Sequence, residues 1–202
     1  MTIVYRQTKG SALTYAELDG NFSDLAGRTA VAWAMDGLEP TLREGVGNPA
    51  ELATFKGNTI AYLFVDGSVS ETYVNWDVPF NWASGTDLYA AIHWSPGSNT
   101  NTGTVRWGLE FTAAPVNGTF GDTNTFYVDS NVSTASAWKH IQAVSDPYPG
   151  SGVAPNQRFL IRLYRDGAAS QDTFGAGAYL IGIDFYYQVS KFGTPSFTPP
   201  YT

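Results

Sequence analysis

The chain has 202 residues, 43 % of them apolar, with 11 Lys and Arg against 18 Asp and Glu, a net charge of −7 and a pI near 4.6. That length suits one ordinary domain with a small appendage, and scattered basic residues on an acidic chain argue against nucleic acid as a partner. No cysteine is present, which excludes disulfides, zinc–thiolate sites and a thiol nucleophile. The N-terminus lacks the apolar core of a signal peptide, and no run approaches the roughly 20 apolar residues of a membrane span. Charged residues make up only 14 % and aromatic residues 15 %, a balance that fits burial between subunits, where aromatics are enriched and charges depleted.

The first element is a helix in TKGSALTYAELDGNFSDLAGR (8–28). Thr14 and Glu17 have the spacing of a capping box, and Leu13 and Leu18 that of a hydrophobic staple around it. Leu18, Phe22 and Leu25 recur at intervals of four and three, which lines them up on one face. Gly27 reads as a stop signal, and Gly20, Asn21 and Ser23 weaken the interior. That apolar face must cover either the chain's own core, copies of itself or another protein. Residues 31–58 are broken by Gly37, Pro40, Gly45, Gly47, Pro49 and Gly57 and read as a connector with small strands or a helical turn near 49–55. The expected division is therefore 1–58, an anchoring and oligomerisation segment, and 59–202, a β domain.

Strand signals then follow one another at 60–66, 71–80, 87–94, 104–111, 124–130, 136–145, 158–166 and 178–189, with turn clusters between them. DLYAAIHW and TVRWGLEF alternate cleanly on either side of the polar SPGSNTNTG, which predicts a hairpin. A series of strands without intervening helices predicts a mainly β fold: an antiparallel sandwich, jelly-roll in topology, behind one short amphipathic helix. The proline-rich GTPSFTPPYT at the end is expected to run extended over a neighbouring surface.

Chemistry is sparse. Only two histidines occur, His93 and His140, without a metal spacing such as His-Glu-x-x-His or the Gly-x-Ser-x-Gly of a nucleophile elbow. Glu110, Asp122, Asp129 and Asp184 could in principle pair as glycosidase acids, but their places match ordinary strand ends and turns. GAGA (175–178) precedes a strand rather than a helix, so it is no phosphate loop. The oxygen-rich loops at 95–103 and 121–125 would suit a hard cation but lack a regular ligand spacing, and no metal or cofactor is assigned. Among Trp76, Trp82, Trp94, Trp107 and Trp138, the tryptophans to weigh for sugar stacking, Trp107 reads as core beside Val105 and Leu109, and Trp82, in the loop-like NWASGTD, is the foremost candidate. Asn99 and Asn101 on the polar loop join it as candidate receptor or sugar contacts.

Two segments are similar to a known group. KGSALTYAELDGNFSDL, through Lys9, Gly10, Ser11, Leu13, Thr14, Glu17, Asn21 and Phe22, resembles a short N-terminal motif of tailed-bacteriophage virion proteins, often tail fibres. DLYAAIHWSPGSNTNTGTVRWGLEFTAA (87–114) and IGIDFYYQVSKFGTPSFTPPY (181–201) resemble a β-domain of phage structural proteins. The resemblance implies a non-enzymatic, homotrimeric virion surface protein made in a bacterial cytoplasm. It would attach to tail or capsid proteins through Leu13, Leu18, Phe22 and Leu25 and touch host glycan outward. Without a repetitive shaft between helix and β domain, a compact knob, an adaptor or a capsid decoration protein are the forms that fit. A carbohydrate-binding module or a hydrolase spike is the alternative from another class.

Overall fold

A computed structural model describes residues 10–29, 32–38 and 47–189. The helix, α1 (Tyr15–Thr29), begins where the sequence puts it. The Glu17 carboxylate accepts from the Thr14 amide at 2.7 Å, and the Glu17 amide donates to Thr14 Oγ1 at 3.2 Å. The capping box is therefore formed in both directions. At the other end the helix runs through Gly27 to Thr29.

Ten strands follow: β1 (Ala32–Leu38), β2 (Glu51–Thr54), β3 (Ile60–Phe64), β4 (Val69–Asp77), β5 (Tyr89–Ser95), β6 (Gly103–Ala114), β7 (Asn124–Val132), β8 (Ile141–Val144), β9 (Arg158–Asp166) and β10 (Ala178–Val189). They form two antiparallel sheets. One runs β2-β3-β10-β5-β8, with β1 also on β10; the other runs β4-β9-β6-β7. If β3 to β10 are counted as first to eighth, the orders are first-eighth-third-sixth and second-seventh-fourth-fifth. That is the double Greek key of a jelly roll.

Two expectations are corrected by this topology. The strands β5 and β6 are not a hairpin: β5 pairs with β10 and β8, whereas β6 pairs with β7 and β9. Their apolar faces meet across the core instead, with the Trp94 and Trp107 rings edge to face at 6.2 Å. The hairpin partner of β6 is instead β7. The expected connector also supplies strands to the sandwich. β1 pairs with β10 from Ala32↔Val189 to Leu38↔Ile183, and β2 pairs with β3. Between them, Asn48–Ala50 lies along β4, with the Glu71 amide donating to Asn48 O at 2.9 Å. The β domain accordingly starts at Ala32, not at residue 59. Pairing decided this, because the glycines and prolines around β1 and β2 read as a connector. The expected tail at 193–202 lies outside the described residues.

Period-2 alternation sends Val105, Trp107, Leu109 and Phe111 of β6 inward, all buried. Phe64 and Phe174 close on the two tryptophans at one end, Phe64 to Trp107 at 5.1 Å and Phe174 to Trp94 at 5.7 Å. At the other end Trp76 stacks on Phe185 at 4.5 Å. Indole N–H groups find acceptors where they point away from the packing: Trp94 donates to Ser130 and Trp76 to Asp36. A cation is also enclosed. Arg165 of β9 is fully buried, donating to both Asp172 oxygens and to the carbonyls of Phe64, Phe174 and Ala176. It ties the 166–177 loop to the end of the sandwich.

Candidate interaction surfaces

The helix carries an unburied apolar face. Tyr15 is 89 %, Leu18 42 % and Phe22 62 % exposed, while Leu13, one residue before the cap, is half-buried. Leu25 continues the row on the helix backbone, but its side chain lies outside the described residues. The chain's own sheets therefore do not cover this stripe. Three large apolar groups in one line are costly to leave in water. Burying Leu18 and Phe22 completely would contribute about 1.5–3 kcal/mol each, which a partner surface can supply.

A second face begins directly after the helix. The outer side of the six-stranded sheet carries Trp33 (56 % exposed) and Met35 (55 %) from β1. Trp33 meets Tyr89 of β5 edge-on at 5.6 Å. Farther along β5 and β10 on the same face lies a hydrogen-bonded chain. His93 Nε2 is 2.7 Å from Asp184 Oδ2, and His93 Nδ1 is 2.7 Å from His140 Nε2. With His93 neutral, Nε2–H donates to Asp184 and Nδ1 accepts from His140; with His93 charged, both nitrogens donate. Gln142 beside it donates to Tyr186 Oη at 2.8 Å. Among the described residues no Ser or Thr hydroxyl joins this chain, and no three His, Asp or Glu groups converge on a metal position. The arrangement orders a mixed aromatic and polar contact patch. The sequence placed His93 on the strand side opposite Ile92, where it is found. Trp33 and Met35 went unnoticed, although A-W-A-M-D-G-L alternates large and small side chains as a one-sided edge strand does.

The outer side of the four-stranded sheet differs. Arg162 is bonded to Glu71 and, at 2.7 Å, to Glu110. Burial works against its charge, but the bonds to Glu110 and Glu71 outweigh that and raise its pKa. Burial and the neighbouring Glu71 charge raise the pKa of Tyr73, whose hydroxyl donates to Glu71. Gly108 leaves room for the Tyr164 ring, since a Cβ there would lie 2.1 Å from it. Arg106 lies over the Tyr127 ring at 4.1 Å and Arg162 over that of Tyr164 at 4.4 Å.

The foremost sugar-stacking candidate is corrected. Trp82 is only 2 % exposed. Its loop is drawn down onto the end of β10, with Trp82 bridged to Val189 and the Ala83 amide donating to Gln188 O at 2.7 Å, so its faces are closed to a ligand. Trp76, Trp94 and Trp107 are likewise core. Trp138 reaches the surface at 37 % exposure, with a left-handed φ of 62°, packed on Phe55 at 5.3 Å. Asn99 accepts from the Asn101 amide at 2.6 Å, and the Asn101 side chain donates to Gly175 O at 3.0 Å. Both shape the 96–102 crossover, the first as a turn residue that satisfies its own backbone. No helix among the described residues is long and apolar enough to cross a membrane.

No protein-family model matches the chain, and no curated protein matches it in sequence. Solved structures with a similar fold include that of infectious bursal disease virus, Gx strain, at 10 % identity and a TM-score of 0.39, over 79 % of this chain and 32 % of that one. The chain thus spans about a third of the viral protein it matches. The CBM35 module of Cellvibrio japonicus Abf62 is 11 % identical with a TM-score of 0.35, over 77 % of this chain and 92 % of that one. The non-crystalline-cellulose-specific module CBM28 is 11 % identical with a TM-score of 0.27, over 80 % and 86 %.

Proposed function

We propose that this chain is a non-enzymatic, homotrimeric surface protein of a tailed-phage virion, attached through its N-terminal segment with the jelly roll facing outward to the host. The carrying observation is the helix. Its Tyr15–Leu18–Phe22 row is exposed, while the sandwich has a complete core of its own. An element that its own domain does not need, capped at Thr14 and apolar on one face, is built to meet another chain. The resemblance of Lys9 to Phe22 to the virion-proximal motif of phage proteins supports the same reading. In a trimer three copies of the row would pack on one another and on the virion proteins that hold them.

Particle assembly tests this. A Leu18→Asp, Phe22→Asp chain should be lost from purified virions, assayed by quantitative mass spectrometry, while circular dichroism and the melting temperature of the isolated protein stay unchanged. Incorporation of that folded variant at the ordinary level would overturn the anchoring role.

A second reading, capsid decoration, draws on the exposed Trp33–Met35 edge of the six-stranded sheet, which would give the chain two contact surfaces rather than one. Decoration requires about one copy per capsid subunit, whereas an adsorption knob requires few. Copy number in the same mass-spectrometric measurement separates them.

A further inference from the structure

We infer that the outer face of the four-stranded sheet is a binding trough for a neutral oligosaccharide. Its floor is three successive cross-strand rows: Tyr73–Arg162–Glu110, Asn75–Leu160–Thr112 and Asp77–Arg158–Ala114. Successive rows lie two residues apart along each strand, so the floor is about 13 Å long, room for a short oligosaccharide. One wall is the β6–β7 loop. It folds back along the sheet because Thr112 Oγ1 donates to Gly121 O at 2.7 Å and the Gly121 amide donates to Ala113 O at 3.3 Å. This sets Thr123 beside the middle row and Phe120 and Val116 at the rim. The two adjoining hollows measure about 270 and 410 Å³, the scale of small-ligand sites.

Charge selects the class of ligand. Arg158 is held bidentately by Asp77 at 2.8 and 2.5 Å, and Arg162 lies between Glu71 and Glu110. The trough therefore sets two guanidiniums, both already paired, against three carboxylates, and the remaining negative charge disfavours a phosphate or a uronate. Each ion pair nevertheless keeps bonding capacity: Nη1 of Arg158 is unused among the described residues, and the carboxylates retain lone pairs. Sugar hydroxyls donate and accept at once, and these fixed groups serve both needs without being ordered on binding. Leu160 on the floor and half-exposed Phe120 offer apolar surface to the C–H face of a sugar ring. A peptide cannot add as a strand within the floor, where β9 and β6 are hydrogen-bonded on both sides, and could pair only at the edges β4 and β7.

This deepens the outward role proposed above and rests on it only for the source of the sugar, the host surface. The purified full-length chain is titrated calorimetrically with neutral gluco-, galacto- and manno-oligosaccharides and with sulfated and uronic-acid counterparts. At least one neutral series should bind. Asn75→Trp, which fills the middle row, and Arg158→Ala should each weaken it by about tenfold or more, equal to roughly 1.4 kcal/mol, with the melting temperature held. Failure of every neutral series, binding of charged sugars alone, or full affinity in both variants would overturn the trough. Attachment is read on particles and sugar binding on the isolated chain, so either can fail without the other.

Discussion

The helix and the Arg165 end of the sandwich reverse the usual disposition of side chains. In α1, Leu18 and Phe22 stand in solvent, and in β9 a guanidinium sits where no water reaches it. The difference teaches where each region finds its partners. Arg165 has its partners within the chain, three carboxylate oxygens of Asp172 and Asp66 and three carbonyls, so it is a closed structural device. The helix is capped at its start, and among the described residues its Tyr15, Leu18 and Phe22 row stays exposed, which is what the proposed partner contact rests on.

Breaking the closed region should have the largest effect. Arg165→Met leaves the Asp172 carboxylate, which has no side-chain exposure, buried without its cation, and three carbonyls lose a donor. A loss of about 3–5 kcal/mol is expected, seen as a fall of roughly 10 °C in melting temperature by calorimetry. Adding Asp172→Leu should recover only part of it, because the carbonyls still lack the guanidinium donors. Next comes Gly108→Ala. Its methyl meets the Tyr164 ring, which is pinned between Arg162 and Tyr127, and overpacking of this kind costs about 1–3 kcal/mol. Urea denaturation checks it. The smallest effect on the sandwich should come from Thr14→Ala. Loss of the cap removes about 1 kcal/mol from the helix alone. Hydrogen exchange should quicken in residues 15–20 while the sandwich melts as before. If Thr14→Ala lowers the sandwich's own melting temperature, the two regions are coupled and the contrast drawn here is wrong.

Local grammar was readable wherever neighbours in sequence are neighbours in space. The Thr14–Glu17 box, the alternation of β6 and the apolar runs of β9 and β10 all stand where the sequence places them. The failures share one cause. Two alternating strands with a short polar loop look the same whether they pair edge to edge or face each other, and β5 and β6 do the latter. Trp82 sits in a sequence of turn residues, but its loop is docked on β10, a segment more than a hundred positions away. The same distance hides the His93–Asp184 pair and the trough, whose rows draw on three strands apiece.

Arg165 shows where the boundary falls. Parity along RFLIRLYRD puts Phe159, Ile161, Leu163 and Arg165 on one side, and the structure honours that parity even for the charge. Composition, periodicity and capping, all short-range properties of a polypeptide, were enough to determine a capped helix with one apolar face followed by the strands of an antiparallel sandwich. Sheet membership, the cover over Trp82, the burial of a cation and the trough between paired charges were decided only by tertiary structure. Each depends on partners that cross-strand hydrogen bonding and core packing bring together from opposite ends of the chain.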